Sequence, residues 1–264
     1  MSELLTENEY KSAAVRQARL LDHLREEVFA DAQKLKGVLG VSIATIRRDL
    51  SELEVRGLLK RMHGGAAIIN QTTRDYATPV RAITNAEEKA RIGAAAAELV
   101  VEGDAVMIDS GTTSLQAAAS LAGRKSLTFV TNGTDTLAQL VAGGAGAVHF
   151  IGGEYIDLNR SLGGPMAVDT VRRFSVDKAI LSVTAVDLDR GLIATLSPQI
   201  GAVQQAMVEV ARTVIVVADH SKFQRNALSV IAPLRQVHHI VTDEQTRPLT
   251  KSLPNDLRSK FIFV

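Results

Sequence analysis

Between Val41 and Gly65 the chain carries Arg47, Arg48, Arg56, Lys60 and Arg61 against Asp49, Glu52 and Glu54, five cations to three anions. Such a local excess suits nucleic-acid phosphates, and a guanidinium can also meet guanine O6 and N7 in a major groove. A second group of polar residues recurs further along: Asp109-Ser110-Gly111-Thr112-Thr113, Thr131-Asn132-Gly133, Gly152-Gly153, Thr184 to Asp187, and Asp219-His220-Ser221-Lys222. A glycine and hydroxyls at the start of a helix offer backbone amides to a phosphate. Lys222 adds an ammonium for the same anion, and the remaining polar groups suit sugar hydroxyls. Taken singly, each stretch also reads as an ordinary cap, turn or solvated charge.

Three helices and a hairpin must position the first group. Ser42 is an N-cap residue, Ile43 to Arg56 contains no Gly or Pro, and Gly57 supplies a stop. Helical spacing puts Ile46, Leu50 and Leu53 on one apolar stripe, with Ala44, Arg48 and Ser51 opposite and Thr45 and Arg47 flanking them. Val15, Leu20, Leu21 and Leu24 mark an earlier helix ending near Glu27, and Ala32, Leu35, Val38 and Leu39 a second, closed by Gly40-Val41. Leu58 to Ala66 alternates apolar and basic residues into a Gly-Gly turn, as a two-stranded wing does. The expectation is a winged helix-turn-helix over residues 1–67, facing double-stranded DNA with Ser42, Ala44, Thr45, Arg47, Arg48, Ser51, Lys60, Arg61, His63 and Gly64.

Residues 68–85 lose periodicity and read as a linker, partly helical. Residues 86–264 alternate helix and strand, with strands expected at Ala105 to Ile108, Leu127 to Val130, Val148 to Ile151, Ala179 to Val183, Val214 to Ala218, His238 to Val241 and Phe261 to Val264. That alternation predicts a larger α/β domain with a mostly parallel sheet covered on both faces. Ligands of such sheets sit beyond the carboxyl ends of the strands, where every stretch of the second group falls.

The chain resembles the DeoR family of bacterial transcriptional regulators of sugar metabolism. The family's N-terminal signature stands here as Val41-Ser42, Thr45 to Leu50, Gly57 to Leu59 and His63 to Ala66; its sensor motifs stand as Asp109 to Thr113, Thr131-Asn132, Gly152-Gly153, Ser161 to Gly164 and Asp219 to Phe223. Departures are Lys34, Lys36 and Gly37 in the second helix, Ser182 and Ala185 where members commonly carry glycine, and Ile200-Gly201 before the helix containing Met207. The resemblance implies a sensor related in fold to ribose-5-phosphate isomerase, a phosphorylated-sugar effector and assembly into dimers or tetramers. The effector site expected on both grounds comprises Asp109, Ser110, Gly111, Thr112, Thr113, Thr131, Asn132, Gly152, Gly153 and Lys222, and the resemblance alone adds Ser161. The expected function is a DNA-binding transcriptional regulator of carbohydrate metabolism genes, a repressor, whose operator affinity the effector modulates.

Composition bounds the rest. At 264 residues and 46% hydrophobic content the chain supports about two domains with real cores. The absence of cysteine excludes disulfides and thiolate chemistry and favours a reducing compartment. The polar, acidic opening MSELLTENEY is unlike a secretory signal, and no apolar run is long enough to span a membrane, so a soluble cytoplasmic protein is expected. The overall charge of +1 speaks weakly against nucleic acid, which leaves the local excess to carry that reading. Neither a nucleotide-binding G-x-x-x-x-G-K-[ST] nor a G-x-S-x-G elbow occurs, and the six histidines show no H-E-x-x-H spacing, so no catalytic, metal or cofactor site is expected. Two rival readings are a sugar-phosphate isomerase-like enzyme and a DNA-binding protein whose second domain only oligomerises. Against the first, isomerases of the fold that the resemblance implies have an acidic run near the segment that is Leu181 to Ala185 here, which contains no carboxylate.

Overall fold

The computed structural model describes residues 13–27, 29–56, 58–62, 64–68, 78–223 and 225–264. The chain divides into two compact units, residues 1–71 and 72–264.

In the first unit, α1 (Ala13–Glu27) leads into β1 (Phe29–Asp31), followed by α2 (Ala32–Leu39) and α3 (Ile43–Val55). The hairpin β2 (Leu59–Met62) and β3 (Gly65–Ile68) completes it. Asp31 caps α2 by accepting the Lys34 amide at 2.7 Å, and Gly40 closes it in the left-handed region at φ 65°. Ser42 Oγ accepts the Thr45 amide at 3.1 Å and so starts α3 where the sequence places it. Ile46, Leu50 and Leu53 of α3 are buried, as are Leu20, Leu21 and Leu24 of α1 and Leu35 and Leu39 of α2.

Two details differ from expectation. Val38 is 47% exposed, because Leu35 and Leu39 already define the buried stripe of α2 and Val38 lies on its solvent side. The wing is also three-stranded, in the order β1-β3-β2, with Phe29 opposite Ala67. The turn uses Gly64 at φ 84°, while Gly65 already belongs to β3, where any Cβ would strike the Ala30 carbonyl.

The second unit opens with α4 (Thr78–Ile83), inside the stretch expected to be linker, and α5 (Ala86–Glu98). Next come β4 (Ala105–Ile108), α6 (Thr112–Leu121), β5 (Thr128–Thr131), α7 (Thr134–Ala142) and β6 (Ala147–Phe150). A hairpin of β7 (Glu154–Ile156) and β8 (Ser161–Gly163) then leads to α8 (Gly164–Val171) and β9 (Val176–Ser182). The chain continues through β10 (Ala185–Asp187), β11 (Leu192–Thr195), α9 (Pro198–Val210), β12 (Ala211–Val217) and β13 (Ser229–Pro233). It ends with β14 (His239–Thr242), α10 (Asn255–Arg258) and β15 (Phe261–Phe263).

Seven strands form one parallel sheet in the order β15-β14-β12-β9-β4-β5-β6. Alternate residues feed two cores, as the period of a strand requires. Val106 and Ile108 pack with Ile92, Ala96, Ala117 and Leu121 of α5 and α6, whereas Met107 packs with Ala167, Val171, Val203 and Met207 of α8 and α9. A separate antiparallel sheet, β10-β11-β13, and the β7-β8 hairpin were not expected. Their strands of three to five residues are too short to show a clear alternation. Among the described residues, no helix is long and apolar enough to cross a membrane.

Candidate functional site

On the first unit, α3 presents Ala44, Arg47 and Arg48 to solvent, with Thr45 and Ser51 half-buried beside them. Ser42 and Thr45 share a hydroxyl contact at 2.8 Å. Ser51 Oγ donates to the Arg47 carbonyl at 2.9 Å and accepts from Arg61 Nη1 at 2.9 Å, and the Arg61 amide donates to Glu54 Oε1 at 2.9 Å. The hairpin is thereby pinned to α3, and Gly64 is exposed at its turn. His63 and the side chain of Lys60 lie outside the described residues.

Asp49, an apparent surface acid in the sequence, is 1% exposed. Its oxygens accept Arg16 Nε at 2.5 Å, Arg16 Nη2 at 2.8 Å and Gln17 Nε2 at 3.2 Å. The Asp49 bond opposes burial of Arg16 and raises its already high pKa. With Asp49 neutralised internally, the positive excess on the outer surface is larger than the sequence count indicates.

In the second unit, the expected effector residues gather at the carboxyl ends of β4, β5 and β12, but with different duties. Asp109 is buried and bonded on both oxygens by protein. Oδ1 accepts Ser114 Oγ at 2.9 Å and the Ser182 amide at 3.3 Å, and Oδ2 accepts Gln204 Nε2 at 2.5 Å. These bonds make it a staple joining β4, α6, β9 and α9. Burial pushes its carboxyl up to about 6, against the pull of Gln204 and Ser114. Ser182 Oγ accepts the Ser114 amide at 2.9 Å and lies where a Cβ on Gly111 would go, so the β4–α6 loop can approach β9 only with glycine there. Ser182 and Gln204 were not expected in this role.

Ser110, Gly111 and Thr112 line a cavity with Gly133, Thr136, Asp135, Thr78, Asn159 and Arg160. At the start of α6, the amides of Thr112 and Thr113 have no partner within the helix. The cavity has an internal volume of ≈ 10 Å³, about the room of one water. Thr131 Oγ1 is buried and accepts the Gly133 amide at 3.1 Å. Gly152 and Gly153 form the bend between β6 and β7, with Gly153 pressed against the Gly163 carbonyl. Neither glycine lines the cavity.

Lys222 stands elsewhere along the same edge, in the short turn after β12. Asp219 Oδ1 in that turn accepts Ser221 Oγ at 2.5 Å, the Ser221 amide at 3.0 Å and Asn85 Nδ2 at 3.1 Å. Burial works against the Asp219 carboxylate, but Lys222 and Lys89 overcome it and hold its pKa well below the usual range. Next door, Asp243 accepts the His220 amide at 2.8 Å and lies 3.1 Å from His220 Nδ1. Burial disfavours the imidazolium, yet Asp243, with Asp219 and Glu88, raises its pKa.

The α4–α5 corner supplies residues that the sequence reading missed. Arg81 Nη2 donates to Thr78 Oγ1 at 3.0 Å and to the Leu158 carbonyl at 3.1 Å; Lys89 Nζ donates to the Arg81 and Thr84 carbonyls. Arg81 also acts electrostatically on Asp109. A repeat of polar side chains four apart, at Arg81, Asn85 and Lys89, was the available signal, but it straddles a break between helices where Asn85 takes φ 52°. Among the described residues, buried polar atoms without a hydrogen-bond partner include Asn132 Oδ1, Ser161 Oγ, Gln204 Oε1, Asp219 Oδ2 and Arg81 Nε, all in this region.

Residues 16–72 match the DeoR-like helix-turn-helix domain, and residues 84–244 match the DeoR C terminal sensor domain. The transcriptional repressor AccR of Agrobacterium fabrum is 46% identical over 253 residues, covering 96% of this chain and 98% of its own. The glycerol-3-phosphate regulon repressor of Escherichia coli K12 is 31% identical over 226 residues, covering 85% and 88%. Among solved structures, ribose 5-phosphate isomerase A from Methanocaldococcus jannaschii is similar with a TM-score of 0.41 and 13% identity, covering 53% of this chain and 55% of that one.

Proposed function

The chain belongs to the DeoR family, and from that premise we propose that it is a DNA-binding transcriptional repressor whose operator affinity responds to a phosphorylated sugar. Repression is supported by the relatives, which are named repressors along nearly their whole length. The observation that carries the effector reading is the pair of buried polar atoms without a hydrogen-bond partner among the described residues at the carboxyl edge of the sheet, Asn132 Oδ1 and Ser161 Oγ. Each costs stability unless something pairs with it, and a polyhydroxylated ligand supplies such partners. The cations Arg81, Lys89 and Lys222 along the same edge suit its phosphate. Thr112 and Thr113 amides, Asn132, Ser161 and Lys222 remain the proposed contacts from the original set.

On the first unit, Arg47 and Arg48 are proposed to read or anchor operator DNA from α3, with Lys60, His63 and Gly64 contributing from the wing. Paired heads in a homodimer or tetramer would raise the affinity of spaced half-sites beyond that of one modest surface. No cofactor enters this reading, and it places the protein in the cytoplasm, where its DNA is.

Calorimetric titration with a panel of pentose, hexose and triol phosphates, followed by gel shifts on operator DNA with each binder, tests the proposal. Binding that changes operator affinity about 5- to 150-fold is expected. Lys222→Ala should remove that response and leave DNA binding of the ligand-free protein intact. Tight DNA binding indifferent to every sugar phosphate would favour a purely oligomerising second domain, and turnover of a sugar would favour an isomerase.

A further inference from the structure

The seven-stranded sheet has two edges, β15 and β6, and the chain treats them differently. Beside β15, Arg247 lies over the Phe263 ring, 4.2 Å from its centroid, and the Glu244 amide donates to the Val264 carbonyl at 3.3 Å. Beyond β6 there is no strand among the described residues. The Ile151 amide donates to the Thr131 carbonyl of β5 at 2.8 Å. By the alternation of a strand, the amide and carbonyl of His149 also face β5, and those of Val148 and Phe150 face outward. Open edges are commonly shielded by lysine, proline or a bulge, and β6, with the sequence AVHF in unbroken register on β5, has none of these.

The surface around this edge is also unlike the rest of the chain. From Thr136 to Gly153, through α7, β6 and the turn that follows, there is no Asp, Glu, Lys or Arg, although these residues make up 22% of the chain. Within that stretch Val141 is 62% exposed and Phe150 39%. A surface without charge does not attract nucleic acid or a strongly charged protein. It does suit its own copy. A twofold axis sets the same few residues against one another, so any charge close to the axis would meet its like. Antiparallel pairing of a strand with itself obeys that symmetry, and it leaves neither β6 edge open, so the assembly closes.

We propose that β6 is the contact through which two copies of this chain associate, antiparallel and about a twofold axis. The outward amides and carbonyls of Val148 and Phe150 supply the bonds between the copies, and the Phe150 ring is covered in the process. This rests on the homo-oligomer in the function proposed above and is independent of its effector.

The test uses the full chain at micromolar concentration, followed by sedimentation and by amide hydrogen exchange. Wild type should sediment as a dimer or a larger assembly, and the Val148 and Phe150 amides should gain protection as concentration rises. Phe150→Lys should weaken association roughly 10- to 100-fold and return both amides to rapid exchange. Phe150→Glu should do the same, and an equimolar mixture of the two should recover a mixed dimer, which misfolded variants would not. Met166→Lys, at a residue 68% exposed on α8, should leave assembly unchanged. Rapid exchange of the two amides within the assembled wild type, or a Phe150→Lys protein that assembles as wild type, would overturn the role of β6 and leave an oligomer built through another surface. Protection of those amides that does not depend on concentration would show that a segment of the same chain covers the edge, and would overturn it too. A monomeric wild type would remove both the β6 contact and the paired heads, with the sugar-phosphate reading untouched.

Discussion

Asp49→Ala offers a quantitative test of how α3 is held. The carboxylate is 1% exposed and receives three N–H donors, two of them from Arg16, whose side chain is itself 10% exposed. Removing it takes from a largely buried guanidinium the carboxylate that receives two of its N–H groups, a loss of about 3–5 kcal/mol. A unit of roughly 60 residues has a total stability of about 3–9 kcal/mol at the usual 0.05–0.15 kcal/mol per residue. The loss is thus comparable to the whole, and the head should unfold substantially while the sensor stays intact. Hydrogen exchange followed by mass spectrometry on the full chain separates the two. Amides of α3 should lose protection down to the remaining stability of the head, and those of α6 should not change. Replacing both partners, as Arg16→Met with Asp49→Leu, should restore most of the protection, because apolar groups of similar volume avoid the desolvation cost. A loss under about 1 kcal/mol in the single variant would show that water reaches Arg16 and that the pair is not a structural anchor.

Two other predictions concern pH and DNA. Asp109 has its pKa raised by burial to about 6 from 3.8, so the stability contributed by its neutral form is complete below about pH 3.8 and is lost as pH rises through about 6. Between pH 5 and 7.5 the loss is about 1.4 kcal/mol, read as a falling urea midpoint of the sensor that Asp109→Asn should flatten; parallel curves for the two proteins would refute it. On the head, Arg48→Ala should weaken operator binding by about 1–3 kcal/mol and random-sequence binding less, while Lys60→Ala should weaken both alike and reduce the salt slope by about one. Identical losses from both substitutions would mean that Arg48 touches only phosphate.

What the sequence determined by itself was local: the period of Ile46, Leu50 and Leu53, the Ser42 cap, the strand Ala105–Ile108 and the polar turn that follows it. Each of these depends on residues within one or two turns, so spacing and propensity are sufficient to find it. Tertiary structure decided the partners. Asp49 became an interior ion because Arg16, 33 residues earlier, crosses it. Asp109 became a staple because Gln204, 95 residues later, reaches its second oxygen. Arg160 came to face Asp135 through a hairpin too short to announce itself, and residues 78–83, with no clear period, became a helix whose Arg81 is bonded at the rim of the site. Burial, charge pairing and the closing of a cavity depend on which distant segments meet, and one sequence records that only indirectly.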